Sequence, residues 1–160
     1  MRPVWRRVRY ILLLSALASV AVCPAAWRDF KRRNAAEEAP ALVRYLAERV
    51  RAEAEARGGR LPQQPAGPTP PLGRCCEQDG QCAVDAASWN DPGWRALRFS
   101  IDDPHRYSYQ YEVVDGGRAA ILRAIGDLDC DGVYGTVELR LDPDGEGGWV
   151  EAWSKDQPTE

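Results

Sequence analysis

The N-terminal part of the chain changes from basic to apolar and then to mixed charge. Residues 1–9 hold four arginines and no acid, and residues 10–26 (YILLLSALASVAVCPAA) carry no charged side chain. An apolar run of 17 residues is at the short end of what crosses a bilayer, and a basic flank stays on the cytoplasmic side. Residues 1–26 therefore predict a basic flank and a single-pass anchor in the inner membrane, with a periplasmic C-terminal domain.

The same residues also fit a cleaved secretory signal. Cleavage after Ala25 would leave Cys23 and Ala25 at the two positions that prefer small residues, with Pro24 between them. The product would be secreted or would join an extracellular filament. Anchor and signal both place the rest of the chain outside the cytoplasm.

Residues 27–59 have the apolar period of a helix. Leu42, Leu46, Val50 and Ala54 recur every four residues among arginines and glutamates. Pro40 removes a backbone donor, so a kink or short break is expected just before it. The glycine pair at positions 58 and 59 should end this amphipathic helix.

A change of composition follows the helix. Residues 60–73 (RLPQQPAGPTPPLG) hold five prolines and two glycines, which predicts an extended connector. Residues 75–91 have few apolar side chains and predict an irregular loop. The globular head is expected to span residues 74–160.

The second half of the chain alternates with the period of a strand. Residues 107–114 (YSYQYEVV) place tyrosines at every second position, and residues 118–125, 133–141 and 149–153 are three further strand candidates separated by glycine-rich turns. These strands predict an α+β fold in which the long N-terminal helix packs on a four-strand antiparallel meander, beside a disulfide-held loop.

The charge of the chain restricts its partners. Without the four N-terminal arginines it has 17 basic and 24 acidic side chains, a net charge of −7. Nucleic acids require basic surfaces, so they are not expected as partners. The membrane and other membrane-associated subunits remain.

Four of the five cysteines follow the apolar run: Cys75, Cys76, Cys82 and Cys130. In an exported domain they predict two disulfides, with three possible pairings. A bridge between the adjacent Cys75 and Cys76 would strain the backbone, so each is expected to reach Cys82 or Cys130. Zinc is disfavoured because the spacing lacks paired CxxC motifs.

Residues 127–138 (DLDCDGVYGTVE) fit the calcium-loop pattern D-x-D-x-D-G-x5-E. Asp127, Asp129, Asp131 and Glu138 are the predicted Ca²⁺ ligands, since calcium takes carboxylate oxygens. The flanks, however, predict strands instead of EF-hand helices. The alternative is turn chemistry, in which aspartate oxygens cap nearby backbone donors.

No catalytic constellation is found in the sequence, so the protein is not expected to be an enzyme. His105 lies beside Pro104 without a matching nucleophile and reads as a solvated loop residue, while Asp102 and Asp103 read as turn residues. The tryptophans at positions 89, 94, 149 and 153 fit a core better than a carbohydrate-binding face.

Three stretches carry a resemblance to a known family. Residues 16–39 (ALASVAVCPAAWRDFKRRNAAEEA), with the proline that ends the apolar run, resemble the type IV pilins and type II secretion pseudopilins. Residues 89–114 (WNDPGWRALRFSIDDPHRYSYQYEVV) and 124–139 (AIGDLDCDGVYGTVEL) resemble the globular part of pilin-like proteins of delta-proteobacteria. The resemblance implies a structural subunit of a pilus or secretion apparatus that associates with other such subunits. Arg2, Pro3 and Arg7 stand where the family has its processing glycine, aromatic residue and glutamate, which implies a minor or degenerate member.

Overall fold

The computed structural model describes residues 36–157. The predicted flank and anchor, and residues 27–35 of the predicted helix, lie outside this range and stay predictions. Among the helices of the described range, none combines the length and the apolar character that a bilayer-spanning helix needs.

The main helix, α1, spans Glu38–Ala56 and presents one apolar stripe. It begins at Glu38, two residues before Pro40, and a proline is tolerated in this first turn because its N–H would have no helical partner. Val43, Leu46 and Val50 have no exposed surface. The helix ends at the glycine pair, where the Gly59 N–H donates to the Ala54 carbonyl at 2.8 Å.

The sheet is an antiparallel meander of five strands in the order β1-β2-β3-β4-β5. The strands are β1 (Ala66–Thr69), β2 (Ser108–Val114), β3 (Ala119–Gly126), β4 (Gly135–Pro143) and β5 (Trp149–Asp156). The three long hairpin pairings are continuous, with Arg123 opposite Glu138 and Leu139 opposite Trp153.

The predicted fold, a long helix on a four-strand meander, is wrong. The described helix has 19 residues, and the sheet gains a fifth strand from the stretch that was expected to be a connector. Pro68 is tolerated in β1 because β1 is an edge strand, where a missing N–H breaks few ladder bonds. Gly67 is required there, since an added Cβ would overlap the Tyr109 carbonyl oxygen.

One face of the sheet carries the core. Tyr109 and Tyr111 of β2, Leu122 of β3, and Leu139 and Leu141 of β4 are fully buried. Helix α1 covers this face over β3 and β4. The alternate residues point away from α1 and are half-exposed, as the period of two requires.

Residues 70–105, here called the bridged segment, cover the sheet beside α1. The segment contains two 3₁₀ helices, Cys76–Gln78 and Ala86–Asn90, and a short helix α2, Pro92–Leu97. Asp85 and Asp91 cap the second and third of these through their side-chain oxygens. Trp94 and Leu97 of α2 reach the common core.

Candidate functional site

Three predicted calcium ligands meet in the connection between β3 and β4. Asp127, Asp129 and Asp131 each offer a carboxylate oxygen, and these oxygens lie within 4.8 Å of one another. Gly126 and Gly135 are paired at the base of the loop, so the hairpin closes directly beneath the carboxylates. Asp127 is 8% exposed, whereas Asp129 and Asp131 face solvent.

Hydrogen bonds within the loop hold Asp127 in place. Its Oδ1 accepts from the Asp131 N–H at 3.1 Å and its Oδ2 from the Gly132 N–H at 2.9 Å. Asp131 accepts in turn from the Val133 N–H at 2.8 Å. The capping role that aspartates have in turns is therefore present at two of the predicted ligands.

Glu138, the fourth predicted ligand, lies apart from the aspartates. It is on β4, opposite Arg123 of β3, and its carboxylate accepts from the Arg123 Nε at 2.7 Å. Arg123 also donates to Glu112 of β2 at 2.7 Å, which places a three-strand ion-pair ladder across the outer face. In an EF-hand the residue at this motif position would reach the metal, but here Glu138 lies within strand β4 and away from the aspartates.

The four cysteines of the described range form two disulfides, as their number predicted. Cys75 pairs with Cys82 and Cys76 with Cys130, and the Cα atoms are 4.4 Å and 5.6 Å apart. The second bridge joins the bridged segment to the β3–β4 connection, residues 127–134, here called the acidic loop. There, the Cys76 Sγ lies 3.3 Å from the Asp127 carbonyl oxygen.

The donor set of the acidic loop fits a hard cation in part. Three carboxylates supply only oxygen, the atom that calcium and magnesium prefer. Calcium takes about six to eight oxygens, so carbonyls or water would have to complete the shell. Asp127 also keeps its two backbone hydrogen bonds, which compete with a metal for its lone pairs.

His105 is buried, in contrast to the sequence-based prediction of a solvated residue. It is 3% exposed, and its backbone exchanges two hydrogen bonds with Cys82, of 2.7 and 3.2 Å. Its ring lies 5.9 Å from that of Trp89 and 6.2 Å from that of Tyr109. The tyrosine alternation of β2, extended two residues upstream, would have found this position.

The remaining candidate residues lie either at the surface or in the hydrophobic core. Asp102 and Asp103 are exposed, and Trp89 and Trp94 are in the core, as predicted. Burial raises the pKa of the Tyr109 hydroxyl well above its usual value near 10, and the nearby Glu38 raises it further. A hydroxyl that holds its proton so firmly is suited to packing and hydrogen bonding.

Comparisons with protein-family models, with curated proteins and with solved structures found no match for the chain.

Proposed function

We propose that this chain is a non-enzymatic structural subunit of an exported assembly, a minor or degenerate pilin-like or pseudopilin-like component of a type IV pilus or type II secretion apparatus. In this role residues 10–26 anchor the chain in the inner membrane and contact the equivalent segments of other subunits. The folded head then lies on the periplasmic side.

The observation that carries this proposal is the pair of disulfides in a head that follows a basic and apolar leader. Disulfides persist in oxidising compartments such as the periplasm. The bridges Cys75–Cys82 and Cys76–Cys130 therefore agree with the export that the leader predicts. Both features belong together in a membrane-anchored subunit with an exported head.

The buried charge of the head supports a structural role. Glu53 of α1 is 7% exposed, and Arg49, Arg57 and Arg98 surround its carboxylate at 3.7, 3.7 and 3.1 Å. Arg49 and Arg57 also donate to the last carbonyls of α2. This buried acid joins the two helices, which accounts for its burial without a catalytic role.

Co-purification from detergent-solubilised membranes tests the proposed role. Full-length chain should capture pilus or secretion subunits, and a double variant, Leu13→Arg and Val20→Arg, should lose them because the apolar run is interrupted. Ala152→Ser, on the exposed edge strand, serves as the matched control and should retain them. The proposal is wrong if the membrane fraction yields no such subunits, or if both variants behave alike.

We further propose that Asp127, Asp129 and Asp131 bind Ca²⁺ and so stabilise the loop. A cation would relieve the repulsion among three carboxylates gathered within 4.8 Å. Calcium at a hundredfold excess over its dissociation constant would add about 2.7 kcal/mol to the free energy of unfolding.

The melting temperature measured with calcium, with magnesium and with chelator tests the metal proposal. Asp129→Asn should abolish the calcium-dependent rise, whereas Glu138→Gln should retain it, since Glu138 pairs with Arg123 outside the loop. A flat response at millimolar calcium would refute the metal site. Loss of the response in Glu138→Gln would refute the three-aspartate ligand set.

The second candidate function is an exported module that is released by signal cleavage and binds calcium or another ligand. The three clustered aspartates of the acidic loop favour this function, because they belong to the head and do not depend on a membrane anchor. Mass spectrometry of the mature N-terminus separates the two functions. A start near Ala26 supports the released module, and retention of residues 1–9 supports the anchored subunit.

A further inference from the structure

Strand β5 forms one edge of the sheet, and among the described residues its backbone pairs with β4 alone. In an antiparallel ladder, every second residue directs its N–H and C=O away from the neighbouring strand. Alternate residues of Trp149–Asp156 therefore present backbone donors and acceptors to the solvent. Such an edge is a template on which another strand can pair.

The two edges of the sheet differ in how well they are protected. The opposite edge, β1, has four residues, one proline and an irregular register with β2, and helix α2 packs against it. Strand β5 has eight residues and no proline, and its register with β4 is unbroken. The length and regularity that allow a further strand to be added are therefore found at β5.

The side of β5 that faces α1 carries two opposite charges placed symmetrically about Trp153. Glu151 lies two residues before this tryptophan and Lys155 two residues after it. Lys155 is exposed and forms no ion pair within residues 36–157. The Glu151 carboxylate already accepts from Arg51 and from Trp153 Nε1. A carboxylate has about four lone-pair sites, so Glu151 has room for a further donor.

We propose that β5 binds the β5 strand of a second copy of this chain as an antiparallel pair, with a two-fold axis through Trp153. Glu151 of each copy then lies opposite Lys155 of the other, which forms two opposite-charge pairs. The pairs on the outer face, 150 with 156 and 152 with 154, bring no like charges together. The inference goes beyond the proposed function, because this contact belongs to the head and does not involve residues 10–26.

Charge selects this register over its neighbours. An axis through Glu151 or through Lys155 would place like charges directly opposite each other, which is destabilising. An axis through Ala152 or Ser154 would leave both charges without an opposite charge across the pair. Because the strand complements itself in this one register, a second copy fits the edge better than an unrelated strand.

Amide hydrogen exchange of the ¹⁵N-labelled full-length chain, followed by NMR in phosphocholine micelles, tests the pairing. Micelles outnumber the chains, so that two chains do not share a micelle by chance. As the chain concentration rises through the submillimolar range, every second amide of residues 150–156 should exchange more slowly. The double variant Leu13→Arg and Val20→Arg should show the same protection, even where it loses pilus or secretion subunits. The test therefore separates failure of the head contact from failure of the proposed function.

Charge reversal assigns the contact to its register. Lys155→Glu and Glu151→Lys should each weaken the pairing about tenfold, because both opposite-charge pairs become like-charge pairs. An equimolar mixture of the two variants should restore it, since one strand then carries two lysines and the other two glutamates. Arg95→Glu, at an exposed position of α2, makes the same change of charge as Lys155→Glu and should leave the pairing unchanged.

Three outcomes overturn the proposal. The first is an exchange rate of the β5 amides that does not depend on chain concentration, since the edge charges then only keep the heads apart. The second is a mixture of the two folded variants that does not restore pairing. The third is protection of β5 only after pilus or secretion subunits are added, which makes a different protein the occupant. If Glu151→Lys does not fold, the comparison of Lys155→Glu with Arg95→Glu still decides.

Discussion

The layered body, formed by α1 with strands β2 to β5, and the bridged segment, residues 70–105, share one core but are held by different forces. The body has continuous strand ladders and a helix whose apolar stripe is fully buried except at Leu42, which is partly buried. The bridged segment has three short helical pieces, two disulfides and aspartate caps. The body therefore depends on periodic burial, whereas the segment depends on individual links, each of which can be removed alone.

The largest expected effect comes from the link between the two regions. Replacing Cys76 and Cys130 by alanine opens a loop of 54 residues and should lower the free energy of unfolding by about 4 kcal/mol through the entropy of the unfolded chain. The cysteines of the matched pair, Cys75 and Cys82, are only 7 positions apart in sequence, and their replacement should cost about 2 kcal/mol. Urea unfolding of both double variants measures the difference, and equal losses would contradict the loop-length argument.

A cavity in the layered body should cost slightly less. Leu139 is fully buried on β4, opposite Leu122 on one side and Trp153 on the other. Leu139→Ala should lower the free energy of unfolding by about 3 kcal/mol, since the rigid ladders prevent collapse around the cavity. Val150→Ala on β5, where the side chain is 55% exposed, is the control and should change it by less than about 0.5 kcal/mol. A loss below about 1 kcal/mol for Leu139→Ala would mean that this core is loosely packed.

One buried hydrogen bond joins the edge strand β1 to the bridged segment. The Trp94 indole N–H donates to the Thr69 hydroxyl at 2.8 Å. Thr69→Val keeps the volume but leaves that donor unpaired, which should cost about 1 to 3 kcal/mol in urea unfolding. Thr69→Ser retains the acceptor and should cost clearly less. If the two variants lose equal stability, packing of the methyl group is the important contact.

The layered body was largely predictable from the sequence, because its burial follows a period. The alternation around Tyr109 and Tyr111 predicted β2, and the apolar stripe through Leu46 and Val50, with its four-residue spacing, predicted α1. Strand β1 was missed because its four residues, AGPT, have no alternation of their own. Its strand geometry comes from pairing with β2, a tertiary contact that local sequence does not encode.

The candidate site was predictable only for residues that lie close together in the sequence. Asp127, Asp129 and Asp131 come together because they occupy one hairpin loop. Glu138 does not join them, since the alternation of β4 turns it towards Arg123. The burial of His105 depends on Trp89, a residue 16 positions away in sequence, which the bridged segment brings against it.

The smallest expected effect concerns one carboxyl group in each region and the donors that lower its pKa. The Ser88 hydroxyl and the Ala87 N–H hold the pKa of Asp85 below its usual value near 3.8, and backbone N–H groups alone lower that of Asp144 in the β4–β5 turn. A depressed carboxyl pKa stabilises the fold above the unfolded pKa, and this contribution is lost as the pH falls through the folded pKa. Ser88→Ala should therefore raise the pKa of Asp85 measured by carboxyl ¹³C titration and leave Asp144 unchanged. Ser154→Ala, on β5, should move neither carboxyl. If the pKa of Asp85 does not change in Ser88→Ala, backbone donors alone lower it, as they do for Asp144 in the layered body.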